Sequence, residues 1–149
     1  MCKNEKEIPV KIINEQEFCE VDFAGIKKIC RQILADAGFS KGRLEILMAD
    51  NERIHQMNRQ FLEHDYTTDV ISFEMSRKRG NLEGCIAVSV EMATERCEEY
   101  RWSASEELTL YIIHGTLHLV GYDDEDSDDE EEMRKAETHY LKTLGIRRK

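Results

Sequence analysis

The stretch His114-Gly-Thr-Leu-His118-Leu-Val-Gly121-Tyr-Asp-Asp124 constrains the fold of this chain more than any other segment. It closes an apolar run with two imidazoles four residues apart, followed by a glycine and then carboxylates. On a helix, residues i and i+4 lie about 5–6 Å apart on one face, so both rings can reach a single Zn²⁺ at roughly 2.0–2.1 Å. Gly121 is placed to end that helix in a left-handed cap and turn the chain back, which brings an oxygen of Asp123 or Asp124 to the same ion. Three protein ligands and an open position make the arrangement of a catalytic rather than a structural zinc.

The helix is legible on its own terms. Ser103 and Glu106 form an S-x-x-E capping box, Leu108, Ile112, Gly115 and Leu119 share one stripe, and Tyr111, His114 and His118 share the adjacent one. Both histidines therefore point toward the protein body. Either one alone reads better as a half-buried imidazole hydrogen-bonded to a backbone carbonyl. Together, with the helix-ending glycine and a downstream carboxylate, they read as a metal clamp. In H-E-x-x-H peptidases a glutamate follows the first histidine and serves as general base. That position is Gly115 here, so a peptidase of that kind would lack its base.

The segment His114-Gly115-x-Leu117-His118-Leu119-x-Gly121-Tyr122-Asp123 resembles the signature of the YbeY family, bacterial metal-dependent endoribonucleases that act in rRNA maturation. Met57-Asn58 with Phe61, then Thr68-Asp69-Val70-Ile71-Ser72-Phe73, resembles that family's L-N-x-x-Y-R segment and T-D-V-L-S-F strand, in the expected order and separation. The resemblance implies a zinc-dependent, single-strand-specific endoribonuclease with one Zn²⁺ per chain, acting late at the 3′ end of 16S rRNA and in ribosome quality control. It implies rRNA and the ribosome or pre-30S particle with its proteins as partners, and neither DNA nor a membrane.

Three positions depart from the family pattern. Its third histidine is Asp124 here, an acceptable zinc ligand at about 2.0–2.2 Å. The expected metal set is therefore His114, His118 and Asp124, with Asp123 and Asp126 as rivals for the third place. The family arginine after the aromatic is Leu62, and Arg59, three residues earlier on the same helix face, is the candidate replacement. The family's G-D-I reads Gly84-Cys85-Ile86, which removes any polar role of that aspartate.

Length and composition suit one domain spanning residues 1–149, with enough apolar residues for one core. No apolar run approaches the roughly 18 residues of a membrane span, and Met1 to Glu5 does not read as a signal peptide, so a cytoplasmic location is expected. Five cysteines (Cys2, Cys19, Cys30, Cys85, Cys97) form no C-x-x-C pair and read as thiols rather than disulfides.

The net charge of −10 is local. Nine acids fall between Asp123 and Glu132, and the rest of the chain carries 22 acidic against 21 basic residues. The run reads as a solvated start to the helix bearing Met133, Ala136, Tyr140, Leu141 and Leu144, where the helix dipole favours negative charge. Positive charge collects at Arg77-Lys78-Arg79 in a loop, at Lys27, Lys28 and Arg31 on a helix, and at Lys41 with Arg43. Each cluster is a solvated surface or, at Arg77–Arg79, a candidate phosphate contact whose strength should fall as salt rises.

The order of elements gives the fold class: α+β, one mixed four-stranded sheet covered by about five to six helices. The expected strands are Pro9–Ile13 (at an edge, given the chain's only proline), Leu44–Met48, Asp69–Phe73 and Cys85–Val90. A helix capped by Asp22 and closed by Gly38 follows the first strand, and one capped by Asp50, bearing Ile54, Met57 and Phe61, follows the second. Three more are expected at Glu91–Tyr100, Glu106–Val120 and Asp128–Leu144. Which strands run parallel is not legible in the pattern.

The chemistry that the resemblance implies for this site is RNA cleavage. A three-ligand zinc polarises a phosphoryl oxygen and acidifies water, and RNA supplies its own 2′-OH. His114 and Arg59 are the candidate catalytic residues, Arg59 as the group that stabilises a pentacovalent phosphate. Asp69 and Ser72 read either as strand-end hydrogen-bonding residues or as substrate-orienting ones. His64 and His139 read as surface residues. The competing functions are a ribosome-assembly or RNA-binding factor with a structural metal, and a zinc hydrolase of another substrate.

Overall fold

A computed structural model describes residues 7–62 and 68–147. Cys2, the Met1–Glu5 stretch and His64 lie outside the described residues. Strand β1 (Val10–Asn14) leads into helix α1 (Phe23–Asp36), which Asp22 caps by accepting from Gly25 N at 3.0 Å. Gly38, at φ +94°, turns the chain out of α1, with Phe39 N donating to Leu34 O at 2.9 Å. Strand β2 (Lys41–Ala49) and helix α2 (Asn51–Leu62) follow, Asp50 accepting from Arg53 N at 2.8 Å to start α2.

Strands β3 (Val70–Lys78) and β4 (Asn81–Ser89) form a hairpin whose turn is only Arg79-Gly80. The sequence pattern puts Arg77 and Lys78 in a loop, but both belong to β3. The last residues of β3 and the first of β4 carry polar and charged side chains because one side of this hairpin faces water, so no apolar run marks them. A bulge between Glu74 and Ser76 interrupts the pairing.

The sheet order is β1-β2-β4-β3, with β1, β2 and β4 parallel and β3 antiparallel at the edge. The strand that follows Pro9, β1, takes the other edge, as its sequence suggests. The parallel strands are joined by helices, as parallel pairing demands.

Helix α3 (Val90–Arg96) starts at Ser89 and tightens into a 3-10 turn at 97–100, so the segment expected as one helix ends in a different geometry. Helix α4 (Ala104–Leu119) begins with the capping box, Ser103 and Glu106 each bonding the other's backbone N–H. Helix α5 (Ser127–Thr143) starts at Asp126, which accepts from Asp129 N at 2.8 Å.

Alternation along β2 divides the core. Leu44, Ile46 and Met48 face the larger cluster with Ile29, Ile33, Ile112 and Leu141, while Leu47 and Ala49 face a smaller cluster with Ile54 and Met57 of α2. Helix α4 is buried nearly all round, Leu108, Ile112, Ile113 and Leu117 being fully enclosed. Two glycines let it approach the sheet: a Cβ on Gly115 would lie 3.0 Å from Val70 Cγ2, and one on Gly84 would lie 2.9 Å from Leu119 Cδ1. This contact fixes the end of α4 against β3.

Candidate metal centre

The last turns of α4 present His114 and His118 on one face, their ring centroids 4.6 Å apart. Gly121, at φ +118°, then reverses the chain. Tyr122 N donates to Leu117 O at 2.9 Å and Gly121 N to His118 O at 3.1 Å, the paired bonds of a Schellman turn. The turn carries Asp124 back over the histidines. His114 Nε2 lies 3.7 Å from Asp124 Oδ2, and His118 Nε2 lies 3.7 Å from Asp124 Oδ1. Among the described residues these three side chains form one group whose ligand atoms all fall within 4.8 Å of one another.

The donor set suits zinc. Ligand atoms 2.0–2.2 Å from a tetrahedral ion stand roughly 3.3–3.5 Å from each other, so the two imidazole–carboxylate distances of 3.7 Å need only a small contraction. Two imidazoles and one carboxylate leave a fourth position open. Of the rival carboxylates, Asp123 Oδ1 accepts from Asp124 N at 2.8 Å and Asp126 caps α5, and neither belongs to the group.

Glu137 of α5 completes the centre, and sequence reasoning does not single it out. The residue is 6% exposed, and its carboxylate accepts from His114 Nδ1–H at 2.6 Å. That bond sets the tautomer, leaving the Nε2 lone pair for an ion. Burial pulls the His114 imidazole down, but the hydrogen bond and charge of Glu137, with the charges of Asp124 and Asp69, outweigh it and leave its pKa above the ordinary histidine value. A signal is present in the sequence as an acid on an apolar stripe, since Met133, Ala136, Glu137, Tyr140 and Leu141 are all buried on one face of α5.

The centre opens into a groove of about 730 Å³ that runs between α2 and the edge of the sheet, lined by Asn58, Leu62, residues 68–72, Glu74, His114, His118, Leu119 and Asp124. Asp69 and Ser72 thus lie in the groove beside the histidines. Ser72 Oγ donates to Gly115 O at 2.9 Å, and Asp69 Oδ1 accepts from Val70 N at 2.8 Å, so both also hold local backbone. Arg59 is exposed on α2, next to groove-lining Asn58, but is not itself in the lining.

None of Arg77, Lys78 and Arg79 is itself a lining residue, but the Arg77 guanidinium borders the groove through two residues that are. Arg77 is committed there: it pairs with Glu74 at 2.9 Å, donates to Leu119 O, and sits 5.7 Å over the Phe39 ring. His139 is exposed and stacks edge-on against Tyr140. Among the described residues the charged groups of the lining, histidines aside, are Asp69, Glu74 and Asp124, all acidic.

A family model described as Endoribonuclease YbeY matches residues 11–145. A protein of Rhodopirellula baltica named Endoribonuclease YbeY is 42% identical over 111 residues, which cover 73% of this chain and 57% of that longer protein. Proteins of the same name from Salinibacter ruber and Chlorobaculum tepidum are 31% and 32% identical, covering 91% and 92% of this chain and 92% and 98% of their own lengths. The solution structure of TM1509 from Thermotoga maritima shares the fold, with a TM-score of 0.59 at 21% identity over 91% of each chain.

Proposed function

The chain belongs to the YbeY endoribonuclease family, and from that premise we propose that it is a zinc-dependent endoribonuclease that cuts single-stranded RNA. The observation that carries the reading is the convergence of His114, His118 and Asp124 on one point in a groove. His114 Nε2, His118 Nε2 and an Asp124 oxygen would hold one zinc per chain, Glu137 fixing His114 from behind. Bound there with an open position, zinc would polarise a phosphoryl oxygen and acidify water.

The chain's own residues would do the rest. The α4 scaffold and the Schellman turn hold the ligands in place before substrate arrives, so no reorganisation is needed in the transition state. Arg59, beside Asn58 at the α2 wall, would neutralise charge on the pentacovalent phosphate. Asp69 and Ser72 would orient the strand in the groove. Arg77, Lys78 and Arg79 would meet phosphates further along the RNA. The rRNA of the small subunit is the proposed physiological substrate, with the ribosome or pre-30S particle as partner and the cytoplasm as the place of action. Among the described residues no helix is long and apolar enough to cross a membrane. Residues 1–149 would act as one domain.

The test couples metal content to cleavage. Protein purified without chelator should carry about one zinc per chain and cut a single-stranded RNA oligonucleotide, and His118→Ala should lose both. Zinc-loaded wild type without cleavage, or a His118→Ala protein that cuts as well as wild type, would overturn the proposal. Arg59→Ala should retain zinc and lose roughly a hundredfold in kcat, the scale of removing one transition-state donor. An unchanged rate would remove Arg59 from the mechanism.

A further inference from the structure

The last turn of α2, beside the groove, carries an exposed aromatic ring that is not itself among the lining residues. Phe61 is 58% exposed and Leu62, beside it, is 38% exposed. Asn58, Phe61 and Leu62 are spaced i, i+3, i+4 and so share one side of the last turn of α2, and both Asn58 and Leu62 line the groove. Phe61 meets Phe73 of β3 with ring centroids 6.0 Å apart and an interplanar angle of 80°. In an edge-to-face pair one ring meets the other with its rim or with a single face. At least one face of Phe61 is therefore left uncovered by Phe73, while the contact holds the ring against the sheet.

The groove is poorly suited to grip RNA by its phosphates. Among the described residues its charged lining, histidines apart, is Asp69, Glu74 and Asp124, and the guanidinium that borders it, that of Arg77, is paired with Glu74. Beyond the charge that zinc and Arg59 would supply at the scissile phosphate itself, a strand passing the metal centre gains from a contact to its bases. Stacking supplies it without regard to charge, because every base has a π-face.

Building on the endoribonuclease reading of this groove, we propose that Phe61 is a base-stacking subsite. A base flanking the scissile phosphate lies on the exposed ring, with Leu62 packing beneath it at the groove's edge. A base held in a duplex is already stacked between its neighbours and cannot lie on this ring, so the subsite selects for unpaired RNA. It also gives the substrate a contact that survives high salt, unlike ion pairs to phosphate.

The experiment uses the zinc-loaded full chain and a short fluorescent RNA oligonucleotide, with a 2′-O-methyl copy for binding and an abasic copy of the same backbone length. Phe61→Ala should weaken binding of the 2′-O-methyl strand roughly tenfold to a hundredfold and raise KM to match, with kcat within a few-fold and zinc content unchanged. Phe61→Trp should restore affinity, and the new indole should be quenched by RNA. The abasic strand should bind Phe61→Ala and wild type alike.

If wild type cleaves but Phe61→Ala binds and cleaves equally well, the subsite is wrong and the nuclease reading stands. A loss that is equally large on the abasic strand overturns the subsite in the same way. If zinc-loaded wild type neither binds nor cuts the RNA, the nuclease reading fails and the subsite with it.

Discussion

Glu137 shows how much a single carboxylate outside the coordinating set can control. It is buried and holds His114 at 2.6 Å, so Glu137→Gln keeps the shape but weakens the acceptor. Zinc affinity, read by competition with a chromophoric chelator, should fall roughly tenfold to a hundredfold while helicity is retained. Gly115 works by absence. A Cβ there would meet Val70, Ser72 and Ile86 at 3.0–3.2 Å, so the position faces the sheet rather than the metal. Installing the peptidase glutamate with Gly115→Glu should therefore yield no peptidase. It should drive a carboxylate into the packed core and cost more than about 4 kcal/mol, seen as loss of soluble folded protein. Cys30 is fully buried against Thr116, and burial pushes its thiol up to about 12. In the native protein at pH 8 it should resist alkylation for as long as the fold persists, and react once denaturant is added.

At the scale of elements, α4 can be tested from its two ends. Ser103→Ala removes the capping box at the end far from the metal and should cost about 1 kcal/mol with zinc affinity unchanged. Gly121→Ala places a side chain at φ +118°, a penalty of at least ~1–2 kcal/mol, and it also misdirects Asp124. Calorimetry and zinc titration together should show affinity falling in the second variant alone. Helix α4 is legible in the sequence because cap, apolar content and left-handed glycine all agree over one stretch. The sequence is less informative where elements face water. The residues from Glu74 to Lys78 do not read as strand, since an edge hairpin carries polar side chains that no apolar run betrays. Strand direction is not legible either, because β3 and β4 look alike as sequence and only their pairing distinguishes them. Glu137 hides in a stripe that draws the eye to its apolar members, although an acid at that spacing is itself informative.

For the molecule as a whole, metal and fold should be linked. Free zinc at about a hundred times its dissociation constant adds ~2.7 kcal/mol to a site present only in the folded state. For a chain of this length that corresponds to roughly 5–10 °C in Tm. Chelator should remove this increment from wild type, and a His118→Ala protein should not respond to it. Helix α5 gives the linkage a direction in time. It contributes Glu137, and Tyr140 on the same helix donates to Asp36 of α1 at 2.6 Å, across 104 residues of sequence. The two histidines and Asp124 lie within a short span of chain and can meet early, but His114 stays unbraced until α5 has docked against both α1 and α4. Tight retention of the ion thus becomes a signal that assembly is finished, and a partly folded chain is left with a loose clamp that lets its metal go.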